Sequence, residues 1–140
     1  MPGLGPKSNI PAMAFRCTVL TPERVAFEAE VEGAVLPAHD GEIGVLPGHA
    51  DFLGALGVGI ARLRLKGSET RLALNGGFLR VDKGELRVLA EEAATPEAVD
   101  AGAVEATLKK ALSEHPRDPA EADPRDARIA WARARLRLKR

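Results

Sequence analysis

A period-two alternation of apolar residues limits what this chain can fold into more than any other feature. Phe15, Cys17 and Val19 follow it, and so do Val25, Phe27, Ala29 and Val31. Ala61, Leu63 and Leu65 are interleaved with Arg62, Arg64 and Lys66. Leu72 and Leu74, Leu79 and Val81, and Leu86 and Val88 repeat the pattern. Successive side chains of an extended strand leave on opposite faces, so each run has one buried face and one wetted face. Turn-forming clusters separate the runs: Lys66-Gly67-Ser68, Asn75-Gly76-Gly77 and Asp82-Lys83-Gly84. Many short strands at such close spacing predict a sandwich or barrel over residues 14–93.

The pattern changes near residue 95. Thr95-Pro96-Glu97 reads as a helix start, with Thr95 as cap and Pro96 at the first helical position, where its missing N–H costs nothing. Val104, Leu108, Ala111 and Leu112 then fall on one helical stripe that runs to about Glu114. The segment His115-Pro116-Arg117-Asp118-Pro119 is expected to break the helix. A second, short helix is expected from Asp123-Pro124, with Asp126 in its first turn, through Ile129, Trp131, Leu136 and Leu138. The alternation at its end also reads as a strand, but Ala, Arg and Leu are strong helix formers. Residues 94–140 are thus predicted to be a helical hairpin. Residues 1–13, with three prolines and two glycines, read as a flexible arm, and Met13 offers a second possible start.

Composition removes several classes of function. The chain has 140 residues, enough for one small domain and an appendage. Its 20 Lys and Arg balance its 20 Asp and Glu, so overall charge gives no case for nucleic-acid binding. No apolar run approaches the roughly 20 residues that cross a bilayer, and the first residues lack the pattern of a signal peptide. The single cysteine, Cys17, cannot form an internal disulfide, which fits a reducing compartment. A cytosolic protein, or one held at a membrane by another protein, is expected.

Residues able to carry chemistry are sparse. His39, Asp40, Glu42 and His49 lie close in sequence, but their spacing matches no metal motif. The plainer reading is a loop whose polar groups cap turns or meet a partner. No phosphate-loop pattern occurs, and Gly76 and Gly77 more simply permit positive φ. Cys17 on an apolar strand face reads as a buried, inert thiol, His115 as a solvent-facing loop residue, and Trp131 as a packing anchor between helices. The C-terminal stretch is basic, through Arg125, Arg128, Arg133, Arg135, Arg137, Lys139 and Arg140. It suits a solvated helix end, where cations favour the macrodipole, and equally a basic rod that seeks an acidic protein surface. A nucleic-acid role for this tail lacks stacking aromatics apart from Trp131.

One stretch is far more specific. His39-Asp40-Gly41-Glu42-Ile43-Gly44-Val45-Leu46-Pro47-Gly48-His49-Ala50 closely resembles the signature loop of the bacterial epsilon subunits of F-type ATP synthases, Gly-Glu-(Leu/Ile/Phe)-Gly-(Ile/Val)-x-Pro-Gly-His-Ala. Val19-Leu20-Thr21-Pro22-Glu23, Leu74-Asn75-Gly76-Gly77-Phe78-Leu79 and Val88-Leu89-Ala90-Glu91-Glu92-Ala93 fall where that family carries similar runs. The resemblance is strong over residues 14–93 and weak over the hairpin.

The resemblance implies a mainly β, then α fold: a sandwich of about ten strands followed by the hairpin. It implies a rotor subunit without catalytic residues, metal or cofactor, peripheral to the plasma membrane on its cytoplasmic side. Glu42 matches a position near the polar loops of the membrane c-ring, and His49 one near the gamma subunit. The hairpin, through Arg128, Arg133, Arg135 and Arg137, would meet the alpha and beta subunits and could block ATP hydrolysis. Some members bind ATP through (Ile/Leu)-Asp-x-x-Arg-Ala on the first hairpin helix. Here Asp100 is kept, but Ala103 stands where arginine is expected, and Gly102 weakens the helix by about 1 kcal/mol relative to alanine. No ATP binding is therefore expected. A β-sandwich interaction module of another kind, and a nucleic-acid binder using the basic tail, are the alternatives that the residues leave open.

Overall fold

The computed structural model describes residues 13–140; the arm expected over residues 1–13 lies, except for Met13, outside the described residues. Eight strands form one continuous sheet: β1 (Phe15–Leu20), β2 (Val25–Val31), β3 (Gly33–Ala38), β4 (Gly41–Val45), β5 (Phe52–Ala55), β6 (Val58–Leu65), β7 (Ser68–Asp82) and β8 (Glu85–Ala94). Their order is β2-β1-β8-β7-β6-β3-β4, with β5 also on β7. Among the described strands only the β1–β8 pair is parallel.

The sheet closes into a sandwich because β7 belongs to both layers. Its first half pairs with β6, from Leu65 opposite Ser68 to Val58 opposite Asn75. Its second half pairs with β5, from Ala55 opposite Phe78 to Phe52 opposite Val81. β5 and β6 thus run along β7 in one register, interrupted only by Leu56-Gly57. There the Leu56 N–H donates to the Gly77 carbonyl and the Gly76 N–H to the Gly57 carbonyl, both at 3.0 Å. Gly76 and Gly77 take φ of 68° and 107°, which bends β7 between the layers. A Cβ on Gly77 would collide with the Leu89 carbonyl oxygen. Asn75-Gly76-Gly77 is therefore a corner inside a 15-residue strand, not the turn between strands that its composition suggests.

The alternation sets the core. Cys17, Val19, Val31, Leu36, Leu63, Leu74, Leu79 and Val88 are fully buried between the layers, and each large aliphatic so buried contributes about 1.5–3 kcal/mol. Ala73 lies between Leu72 and Leu74, so its side chain leaves the opposite face of β7, yet it is fully buried too. That outer face is covered by the hairpin.

The hairpin starts later than its sequence suggests, and its second helix is longer. Thr95 makes no side-chain cap; Pro96–Ala98 form a 3-10 turn, and α1 (Ala101–Leu112) begins at Asp100, whose carboxylate accepts the Ala103 N–H at 3.1 Å. α2 (Pro119–Lys139) has 21 residues and starts ahead of the expected Asp123-Pro124. Asp118 caps it by accepting the Glu121 N–H at 3.0 Å, and Glu121 accepts the Arg117 N–H at 3.1 Å in return. Pro119 opens this helix instead of breaking the previous one, because the first helical N–H has no partner to lose. Pro124 sits inside α2.

Val104, Trp131, Ala132, Ala134 and Leu138 pack with Ala73 of β7, flanked by Val58 and Ile60 of β6. The buried alanines on both sides let α2 lie close to the strands. Trp131 thus anchors the hairpin to the sheet as well as helix to helix. Arg125 ties the helices together by donating to the last α1 carbonyls, Ala111 at 2.9 Å and Leu112 at 3.4 Å.

Candidate interaction site

The two residues singled out in the signature loop are placed by different devices. Glu42 lies on β4 opposite Pro37, next to the two-residue His39-Asp40 tip of the β3–β4 hairpin. Its carboxylate lies 3.4 Å from the Arg62 guanidinium, and both side chains are over 40 % exposed, at 55 % and 41 %. An exposed pair of this kind contributes at most about 1 kcal/mol, so Glu42 can exchange Arg62 for a partner group at little cost.

His49 is aimed by a tight turn. Its N–H donates to the Leu46 carbonyl at 3.1 Å, closing a four-residue turn with Pro47 second and Gly48 third, and Gly48 has φ of 82°. Proline fixes the second position and glycine supplies the positive φ at the third, the requirements of a type II turn. The ring then packs 5.0 Å from Phe52. Its Nδ1 lies 2.7 Å from the Ala50 carbonyl oxygen, which can only accept, so Nδ1 is the donor in this contact.

Glu42 lies near the start of β4 and His49 past its end, beyond the Pro47-Gly48 turn, so about 10 Å of strand runs between Glu42 and Val45, where the turn region begins. They do not form one site. His39, Asp40, Glu42 and His49 do not converge either: among the described residues, no three His, Cys, Asp or Glu side chains are grouped to hold a metal ion.

A third surface escaped the sequence reading. Phe78 pairs with Leu89 across β7 and β8, and Leu89 with Leu20 across β8 and β1. With Val25 they line an apolar surface groove of about 610 Å³, in which Val25 is 53 %, Phe78 45 % and Leu89 37 % exposed. Leu53 on β5 is exposed beside them. The adjacent pairs Phe78-Leu79 and Val88-Leu89 carry the missed signal: one member of each must face outward. Contiguous exposed apolar surface of this kind marks a contact surface, whether for a protein, a membrane or a ligand.

The four arginines of the C-terminal helix are not equivalent. Arg128 forks onto both Glu114 oxygens, at 2.7 and 3.0 Å. This bond holds the Glu114 carboxyl below its ordinary range. The Arg135 guanidinium lies 4.9 Å from the Trp131 ring centroid. Arg133 and Arg137 are exposed. Asp100 and Ala103 border a cavity of about 530 Å³ together with Trp131 and Arg135, but the Asp100 carboxylate is already engaged as the α1 cap. His115 faces solvent. Cys17 is fully buried, and burial pushes its thiol up to about 12, so it is not a nucleophile at neutral pH.

The elements define a β-sandwich with a helical hairpin docked on its outer face. Residues 14–96 match the family described as ATP synthase, Delta/Epsilon chain, beta-sandwich domain. The ATP synthase epsilon chain of Synechococcus sp. (strain WH7803) is 35% identical over 130 residues, covering 91% of this chain and 96% of that one. That of Rhodopirellula baltica is 36% identical over 128 residues, covering 91% and 100%. Among solved structures, a chain of the Euglena gracilis mitochondrial ATP synthase aligns with a TM-score of 0.77 at 23% identity, covering 91% of this chain and 81% of that one, and so has the same fold. The chain belongs to the ATP synthase epsilon-chain family. The unrelated interaction module and the nucleic-acid binder are thereby set aside.

Proposed function

We propose that this protein is a non-catalytic central-stalk subunit of an F-type ATP synthase. It joins the gamma subunit to the membrane c-ring, so that ion flow through the ring drives ATP synthesis at distant sites. The observation that supports this reading is the signature loop, with Glu42 presented on β4 and His49 by the turn that follows it. Glu42 would meet the c-ring, and His49, together with the Phe78–Leu89 face, would meet gamma. Each charge crossing about 100 mV releases roughly 2.3 kcal/mol, and the joint must hold against several such steps. That calls for an interface above about 1,000 Å², which the exposed apolar groove helps to supply. The chain would lie on the cytoplasmic side of the plasma membrane, held there by its partners.

The test is reconstitution of the full chain with gamma and the c-ring. We expect a stable ternary assembly, with Phe78→Asp releasing gamma and Glu42→Lys weakening the ring contact. An intact chain that captures neither partner would defeat the proposal.

The hairpin would act as a brake on ATP hydrolysis when it leaves the sheet and reaches the alpha and beta subunits, a two-state equilibrium set by which surface binds it better. Removing residues 95–140 is expected to raise hydrolysis by the assembled enzyme while leaving coupling intact; an unchanged hydrolysis rate would remove the brake from this account. ATP is expected to bind weakly or not at all, because Ala103 offers none of the charge-assisted bonds that an arginine would give a phosphate. Calorimetry on the isolated chain decides it.

A further inference from the structure

Where the last turn of α2 meets the sheet, three guanidinium groups border one groove. Arg62 and Arg71 stand directly opposite each other on β6 and β7, and Arg137 enters from α2. The groove has a volume of about 430 Å³, with Pro37 and Ile60 among its apolar walls. Glu42 is the one carboxylate lining it. It lies 3.4 Å from Arg62, and among the described residues neither Arg71 nor Arg137 has a carboxylate within ion-pair distance.

Three cations less one anion leave two uncompensated positive charges in a concave, partly apolar place. Like charges directly opposite on paired strands repel, and the docked helix adds a third. The α2 dipole supplies only about half a negative charge at this end, too little to neutralise them. Guanidinium groups are planar forks that suit tetrahedral oxyanions through paired, charge-assisted bonds.

We propose that the Arg62–Arg71–Arg137 groove binds a phosphate-class oxyanion, and that its occupancy holds the end of α2 against the sheet. The phosphoryl group can come from free phosphate or from the headgroup of an acidic phospholipid. The site spans sheet and hairpin, so a bound anion stabilises the docked hairpin over the released one. The inference does not depend on the rotor assignment.

The test is titration of the isotopically labelled full chain with inorganic phosphate, at ionic strength held constant with chloride, followed by nuclear magnetic resonance. Shifts are expected to concentrate on the Arg62, Arg71 and Arg137 side-chain signals and nearby strands. Arg71→Gln or Arg137→Gln should weaken the response at least fivefold, and Arg80→Gln on the other layer should not. The thermal transition reported by Trp131 fluorescence should rise with phosphate in the parent and not in Arg137→Gln, a surface change that leaves the sandwich core untouched. A second arm uses vesicles of phosphatidylglycerol or of phosphatidylcholine. Sedimentation with the former alone, lost when Arg71→Gln and Arg137→Gln are combined, identifies the headgroup as the source; a response to phosphate without vesicle binding identifies the free ion. Shifts scattered over all surface arginines, or responses to both probes that survive the double substitution, would overturn the site.

Discussion

The sandwich and the hairpin are held by different physics. The sandwich encloses its own core: Leu36, Leu63, Leu74 and Leu79 are fully buried between hydrogen-bonded layers. The hairpin has no such interior. α1 buries only Val104 and Ala111, and α2 reaches the sheet through Trp131, Leu138 and small alanines. Its ties across the helices, Arg125 to the α1 carbonyls and Arg128 to Glu114, are part-buried to half-exposed polar bonds rather than apolar packing. An isolated helix of 12 residues such as α1 is marginal in water, and α2 buries its apolar side chains only against α1 and the sheet, so the hairpin's order depends on the face it covers. One region carries its own core; the other is ordered by the face it covers.

Four changes would break or sharpen that contrast. Leu74→Ala should destabilise the whole sandwich by about 4 kcal/mol through the cavity it leaves, seen as an earlier single transition in urea. Trp131→Ala should cost about 3 kcal/mol, but in hairpin docking: limited proteolysis should cut within residues 95–140 while the sandwich survives. Equal sensitivity of both regions would refute the division. Asp118→Ala removes the α2 cap and should cost about 1 kcal/mol of helix stability, measured as faster amide exchange in the first turn of α2. The smallest effect is acid loosening of the hairpin. The Arg128 hydrogen bond lowers the Glu114 carboxyl, and the Arg117 hydrogen bond lowers that of Glu121. A carboxyl lowered in the folded state contributes stability above its unfolded value, and that contribution fades as pH falls through the folded one. Below about pH 4 the hairpin transition should therefore drop slightly, and Glu114→Gln should remove part of this pH dependence. Both groups are exposed, so salt should blunt the effect.

The strands were legible because an alternation such as Leu63-Arg64-Leu65 has one physical meaning, a buried face and a wet one. The corner in β7 was not, since Asn75-Gly76-Gly77 has the same composition whether it ends a strand or bends one; only the pairing of β5 and β6 along a common register distinguishes them. Pro119 is ambiguous in sequence because proline disfavours a helix before itself and favours one after itself, and the deciding partner, the Asp118 carboxylate, is a matter of local geometry. Resemblance singles out Glu42 and His49, but only the fold shows that one sits on β4 and the other beyond the Pro47-Gly48 turn that directs the imidazole. Phe78 and Leu89 were passed over because each sits beside a core residue of similar hydrophobicity.

The shared strand β7 has a mechanical consequence. A twisting load applied near the β4 tip crosses β3 and β6 through ladder hydrogen bonds and then enters the β7 backbone, which carries it covalently to the Phe78–Leu89 face. The layers cannot slide past each other as two stacked plates could, because a continuous peptide chain is riveted through both. Stiffness in shear is therefore built into the connectivity, and would persist even where side-chain packing is imperfect.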